Sequence, residues 1–172
     1  MAFKVFLSYS VGPDELALPW RLQTDGAAHG IQIYVPRRKG YQAGGQAAYR
    51  EAAKQDRSQM ERADCVLAII TAENKQARPA LADELGRAVR LSKTVVPIVQ
   101  KGLERLPVLE DLRQKTSTPT FILSAQDGPG KVEWEVVEYL KKQPLSEQEQ
   151  RALGALVALA VGQILLFSLA EK

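Results

Sequence analysis

The chain has 172 residues, 25% of them charged and 45% hydrophobic, with a formal net charge of +3. That length holds one domain with a real core plus an appendage, and the composition excludes wholesale disorder. A single cysteine and a single histidine leave too little material for an internal disulfide, a zinc site or a Ser-His-Asp triad, and a small positive charge without a basic stripe gives no basis for nucleic-acid binding.

The N-terminus, MAFKVFLSYS, lacks the apolar region and cleavage site of a signal peptide and reads as a first strand over Lys4 to Tyr9. Ser8, Tyr9 and Ser10 end it. Asp14 is placed to cap the following helix, with Leu16, Trp20 and Leu22 on its inner side and Gly26 or Gly30 at its end. A second strand, Ile31 to Val35, stops at Pro36. The basic, glycine-rich stretch RRKGYQAGG then reads as a loop. Gln46 to Ala63 has helix-forming composition, with Tyr49, Ala53 and Met60 marking its inner side.

Asp64 to Val99 organises the chain. DCVLAIIT is a nearly continuous apolar run, as suits a strand buried on both faces of a parallel sheet. Cys65 lies within it and reads as a buried, inert thiol. Pro79 fits the first turn of a helix, and Leu81, Leu85, Ala88 and Val89 repeat at helical spacing. Thr94 to Val99 is the next strand. Strand, helix and strand in that order imply a right-handed βαβ unit. Gly102 to Ser117 reads as a loop and a short helix, Thr120 to Leu123 as strand five, and Val132 to Leu140 as a helix with Val132, Val136, Val137 and Leu140 on one side. Trp20 and Trp134 sit at apolar helical spacing and read as core. Five strands alternating with helices predict an α/β fold with a parallel sheet and helices on both faces.

Residues 143–151 are polar and read as a linker or helix entry. Ala152 to Ala170 is 19 residues without a charge. As a helix it spans roughly 28 Å, close to the ~30 Å hydrocarbon core of a bilayer. Lys141, Lys142 and Arg151 before it orient the N-terminal domain to the cytoplasm, so the expectation is a single-pass transmembrane helix. A helix buried in the core of a soluble oligomer is the competing reading. Gly154, Ala158 and Gly162, four residues apart, give a small-residue face suited to close helix contact.

Three stretches then carry a resemblance. FLSYS (Phe6 to Ser10), the loop after IQIYVP, and ADCVLAIIT followed by the DELGRA helix stand in the order of the boxes of a bacterial TIR domain. The similarity spans roughly residues 3–142 and implies a flavodoxin-like fold. It departs from the family in two places: QARPALADEL has no tryptophan before the glutamate helix, and RRKGYQAGG lacks the usual acidic-Pro-Gly pattern.

The resemblance implies hydrolysis of NAD, as substrate and not cofactor, at the nicotinamide–ribose bond. Glu84 would be the catalytic carboxylate, and Ser8, Ser10, Arg37, Arg38 and Tyr41 the substrate-holding residues. It also implies self-association, through the domain and the last helix, and a role in defence or cell killing. No metal is called for. Assembly with other TIR domains without chemistry, and nucleoside deoxyribosyl transfer (whose enzymes share the sheet and a glutamate in a similar place), are the alternatives.

Read without the resemblance, the same residues have plainer roles. Asp83 and Arg87 form an ordinary i,i+4 pair, with Glu84 one turn from Arg87. Arg37, Arg38 and Lys39 can pair with a pyrophosphate or simply be solvated. Ser8 and Ser10 can reach a ligand or close a turn.

Overall fold

The computed structural model describes residues 2–36, 45–75 and 77–170, with the side chains of 45–49 and 168–170 left out. Five parallel strands, β1 (Phe3–Ser10), β2 (Ile31–Tyr34), β3 (Cys65–Ile70), β4 (Thr94–Gln100) and β5 (Phe121–Leu123), form one sheet in the order β2-β1-β3-β4-β5. Among the described residues six α-helices accompany them: α1 (Leu18–Ala28), α2 (Gly45–Arg62), α3 (Arg78–Arg90), α4 (Pro107–Lys115), α5 (Pro129–Leu140) and α6 (Glu147–Ala170). This is the doubly wound α/β fold of flavodoxin-like strand order.

The apolar strands separate two cores, because successive side chains alternate between faces. Leu7, Leu67, Val96 and Ile98 face α1, α5 and α6. Phe6, Val66, Val95 and Val99 face the other way, against Met60 of α2, Leu81, Leu85 and Ala88 of α3, and Leu109 and Leu112 of α4. Register fixes the centre: Ser8 lies opposite Ala68 and Ser10 opposite Ile70.

The first helix differs from expectation. Asp14 does not cap it but lies in a 3-10 turn, Pro13–Glu15, and α1 starts at Leu18. Pro19 sets that start, since a residue without an N–H fits only the first turn. The buried stripe becomes Leu18, Leu22 and Gly26, and Leu16 and Trp20 turn outward, Trp20 to 43% exposure. Trp134 is likewise not core, at 66% exposure, and Val137 is exposed beside the buried Val132, Val136 and Leu140 of α5. Gly26 is where α1 meets β2: a Cβ there would lie 2.6 Å from Ile33 Cδ1. Gly30, at φ +74°, follows the helix end and turns the chain into β2. In α2, Met60 is buried and Ala53 half-buried.

The last helix begins at Glu147, within the expected linker. Ser146 Oγ accepts from the Glu149 N–H at 3.1 Å, and Glu149 Oε1 accepts from the Ser146 N–H at 3.3 Å. This reciprocal capping box satisfies two otherwise orphaned donors. The helix is long and apolar enough to cross a membrane. In the folded chain it packs on α1 and α5 and buries Leu153, Leu156, Val157, Ala160, Val161 and Ile164. Gln163 Nε2 donates to Asp25 Oδ2 of α1 at 2.6 Å, and the Arg21 guanidinium stacks over the Phe167 ring at 5.5 Å. Its outer side keeps Leu166 at 68% exposure. Each large side chain buried this way contributes about 1.5–3 kcal/mol. The helix is therefore a layer of the folded domain as well as a segment of membrane-spanning length.

Candidate active site

In an open α/β sheet, ligands bind outside the carboxyl ends of the strands, where connections diverge to opposite faces. In this order that point lies between β1 and β3. Two sequence-selected residues meet close to it. Ser8 Oγ donates to Glu84 Oε1 at 2.8 Å. Both are buried, Ser8 completely and Glu84 to 5% exposure. The side chains of Leu81, Glu84, Leu85 and Ala88 share the inner face of α3 at positions i, i+3, i+4 and i+7. A carboxylate thus takes a place that the helix repeat reserves for an apolar residue. Taking a charged group out of water is costly unless it is hydrogen-bonded. Asp83, by contrast, points to solvent and pairs with Arg87 at 3.1 Å. The ordinary surface ion pair belongs to Asp83, and the buried hydrogen bond to Glu84.

Ser10 lies two residues further along β1. Its Oγ donates to Ala72 O at 2.7 Å and accepts from the Asn74 N–H at 3.3 Å. Its carbonyl accepts from the N–H groups of Thr71 and Ala72. Ser10 therefore holds the loop between β3 and α3. Asn74 O accepts from the Ala77 and Arg78 N–H groups as that loop enters α3. Thr71 Oγ1 donates to Glu15 Oε1 at 3.0 Å, so the loop after β1 is tied to the end of β3. Glu15, Thr71 and Asn74 did not stand out in the sequence. An acidic residue just after the first strand was the available signal, but Asp14 beside it drew the helix-cap reading.

Arg37, Arg38, Lys39 and Tyr41 lie outside the described residues. The chain that leads to them is anchored: Tyr9 Oη donates to the carbonyl of Pro36 at 2.9 Å. Across β2, Tyr34 Oη donates to Asp56 Oδ1 of α2 at 2.6 Å.

Beside this site, α3 and α4 enclose a cavity of about 260 Å³. Ser10 and Asn74 stand at one end of it, whereas Glu84 and Ser8 do not line it. Among the described residues, no group of three or more His, Cys, Asp or Glu side chains gathers as metal ligands would. Cys65 is fully buried in β3, and burial, with Asp64 and Glu149 adding to it, pushes its thiol far above the ordinary range. It stays a protonated core residue.

No family model matches the chain, and no curated protein matches it. Among solved structures it is similar to a 2-deoxyribosyltransferase from the psychrotolerant bacterium Bacillus psychrosaccharolyticus, at 21% identity. That similarity covers 56% of this chain and 71% of the other, with a TM-score of 0.46. A likeness at this level assigns no activity.

Proposed function

We infer that this chain processes an N-glycosidic bond, with Glu84 as the carboxylate beneath the sugar. The observation that carries the reading is a glutamate buried on the inner face of α3 and hydrogen-bonded by Ser8 of β1. When the bond between the anomeric carbon and the base nitrogen breaks, its electron pair leaves with the nitrogen, and positive charge builds on the sugar. A fixed carboxylate stabilises that oxocarbenium-like state. With NAD the leaving nicotinamide departs neutral. Water then bonds to the anomeric carbon and releases one proton, giving ADP-ribose. No histidine acid is needed, which suits a chain with only one histidine.

NAD is the first substrate under this reading, following the TIR resemblance. Transfer of a deoxyribosyl group to a second base, the activity named for the similar solved structure, is the second. It asks for the same carboxylate and replaces water by a base as acceptor; the departing base, which leaves a neutral nucleoside as an anion, takes up the proton that the incoming base loses as it bonds to the anomeric carbon. Incubating the full chain with NAD, and separately with a deoxynucleoside plus a free base, tests both by chromatography of the bases. Nicotinamide release supports the first and a new deoxynucleoside the second. Neither product at high protein density would leave the domain as an assembly module.

In the same reading α6 attaches the domain to a membrane, with the N-terminal part cytoplasmic, and self-association brings sites together. Spanning and docking are exclusive states of this helix, because lipid would replace its contacts with α1 and α5.

A further inference from the structure

We propose that the cavity between α3 and α4 is a second binding site, for a single planar uncharged ring carrying an N–H donor, such as a nucleobase or a nicotinamide-type carboxamide. It is separate from the Glu84–Ser8 pair and does not depend on catalysis there. Four observations carry it.

First, its size selects the ligand. At about 260 Å³ it falls below the roughly 300–1,000 Å³ of sites for drug-sized molecules, so it admits one ring and excludes a dinucleotide. Second, its walls are aliphatic: Leu81, Leu85 and Val89 from α3 face Leu106, Val108 and Leu112 from the α4 side. Third, its charged rim is internally neutralised, since Arg78 pairs with Glu73 and Lys115 with Asp111 at 2.9 Å. An anionic ligand therefore has no spare cation to meet among these groups. At the inner end Ser10 Oγ already donates to Ala72 O and accepts one N–H. A hydroxyl oxygen has two lone pairs, so the remaining one accepts a donor from the ligand.

Fourth, Gly86 lines the cavity from the middle of α3. Glycine in a helix interior is unfavourable relative to alanine. A Cβ at this position would meet only Arg90 Nη1, at an ordinary 3.5 Å. Packing within the chain therefore does not demand the glycine, and its effect is to keep the slot between the helices open.

The test is direct binding to the full chain, followed by NMR shifts, with nicotinamide, uracil and cytosine as separate probes. A ring of this size in such a slot binds with a Kd on the order of 1 mM. The expected result is saturable binding of at least one base. Ala82→Phe and Gly86→Leu, both projecting into the slot, should each weaken it at least tenfold, and Glu84→Gln should leave it unchanged. Ala82 is exposed, so its variant keeps the core intact if Gly86→Leu fails to fold. No saturable binding of any probe, or binding that the two plugging variants do not alter, overturns the proposal. Loss in Glu84→Gln alone would move the ligand to the other site and overturn it too.

Discussion

Ser8 of β1 and Glu84 of α3, 76 residues apart in sequence, share a buried 2.8 Å hydrogen bond across the inner face of the sheet. Removing the donor leaves the carboxylate buried with one partner fewer. Ser8→Ala should destabilise the fold by about 1–3 kcal/mol, read as a lower urea midpoint. Glu84→Gln keeps an acceptor for the Ser8 hydroxyl and should unfold close to the wild-type midpoint. An unchanged midpoint in Ser8→Ala would mean that the bond holds little.

The last helix gives a second prediction. Leu156 is completely buried where α6 docks. If docking holds in solution, Leu156→Ala should cost about 2–5 kcal/mol, whereas an outward Leu166→Ala should stay within about 0.5 kcal/mol. Equal, small effects in both would mean that α6 does not rest on the domain.

Cys65 provides a pH test. Burial raises its folded-state pKa, so the folded thiol keeps a proton that the unfolded thiol loses above about pH 8.5. The unfolded state then binds fewer protons, and stability falls as pH rises past that point. Denaturation midpoints of wild type should drop between about pH 8 and pH 10 more than those of Cys65→Ala. Iodoacetamide should label Cys65 only in denaturant, as mass spectrometry would detect. Rapid labelling of the native chain would contradict its burial.

Gly26 carries a steric prediction. A Cβ would stand 2.6 Å from Ile33 Cδ1, so Gly26→Ala must push Ile33 aside. The overpacking should cost about 1–3 kcal/mol in a thermal melt, despite the better helix propensity of alanine. Gly26→Ala combined with Ile33→Val should recover part of the loss.

The sheet and its crossover helices were legible because each strand is an apolar run closed by turn residues, and because Leu81, Leu85 and Ala88 repeat at helical spacing. Glu84 was legible as a residue near that stripe, but its inward direction was not, since Asp83 offers the same charge one position away. Trp20 misled because α1 buries the stripe Leu18, Leu22 and Gly26, which leaves Trp20 on the outer side; Trp134 misled because α5 buries Val132, Val136 and Leu140, and an apolar residue between them points outward. The role of α6 was hidden for another reason: a helix apolar all round carries no mark of which side meets protein. Glu15, Thr71 and Asn74 act through loop hydrogen bonds, which leave no periodic trace.

The most direct measurement is nicotinamide release from NAD by the full chain, at high density on liposomes, with wild type beside Glu84→Gln. The account predicts release by wild type and a rate about 100-fold lower or less in the variant, with both proteins folded. Equal rates in the two would contradict the role given to Glu84.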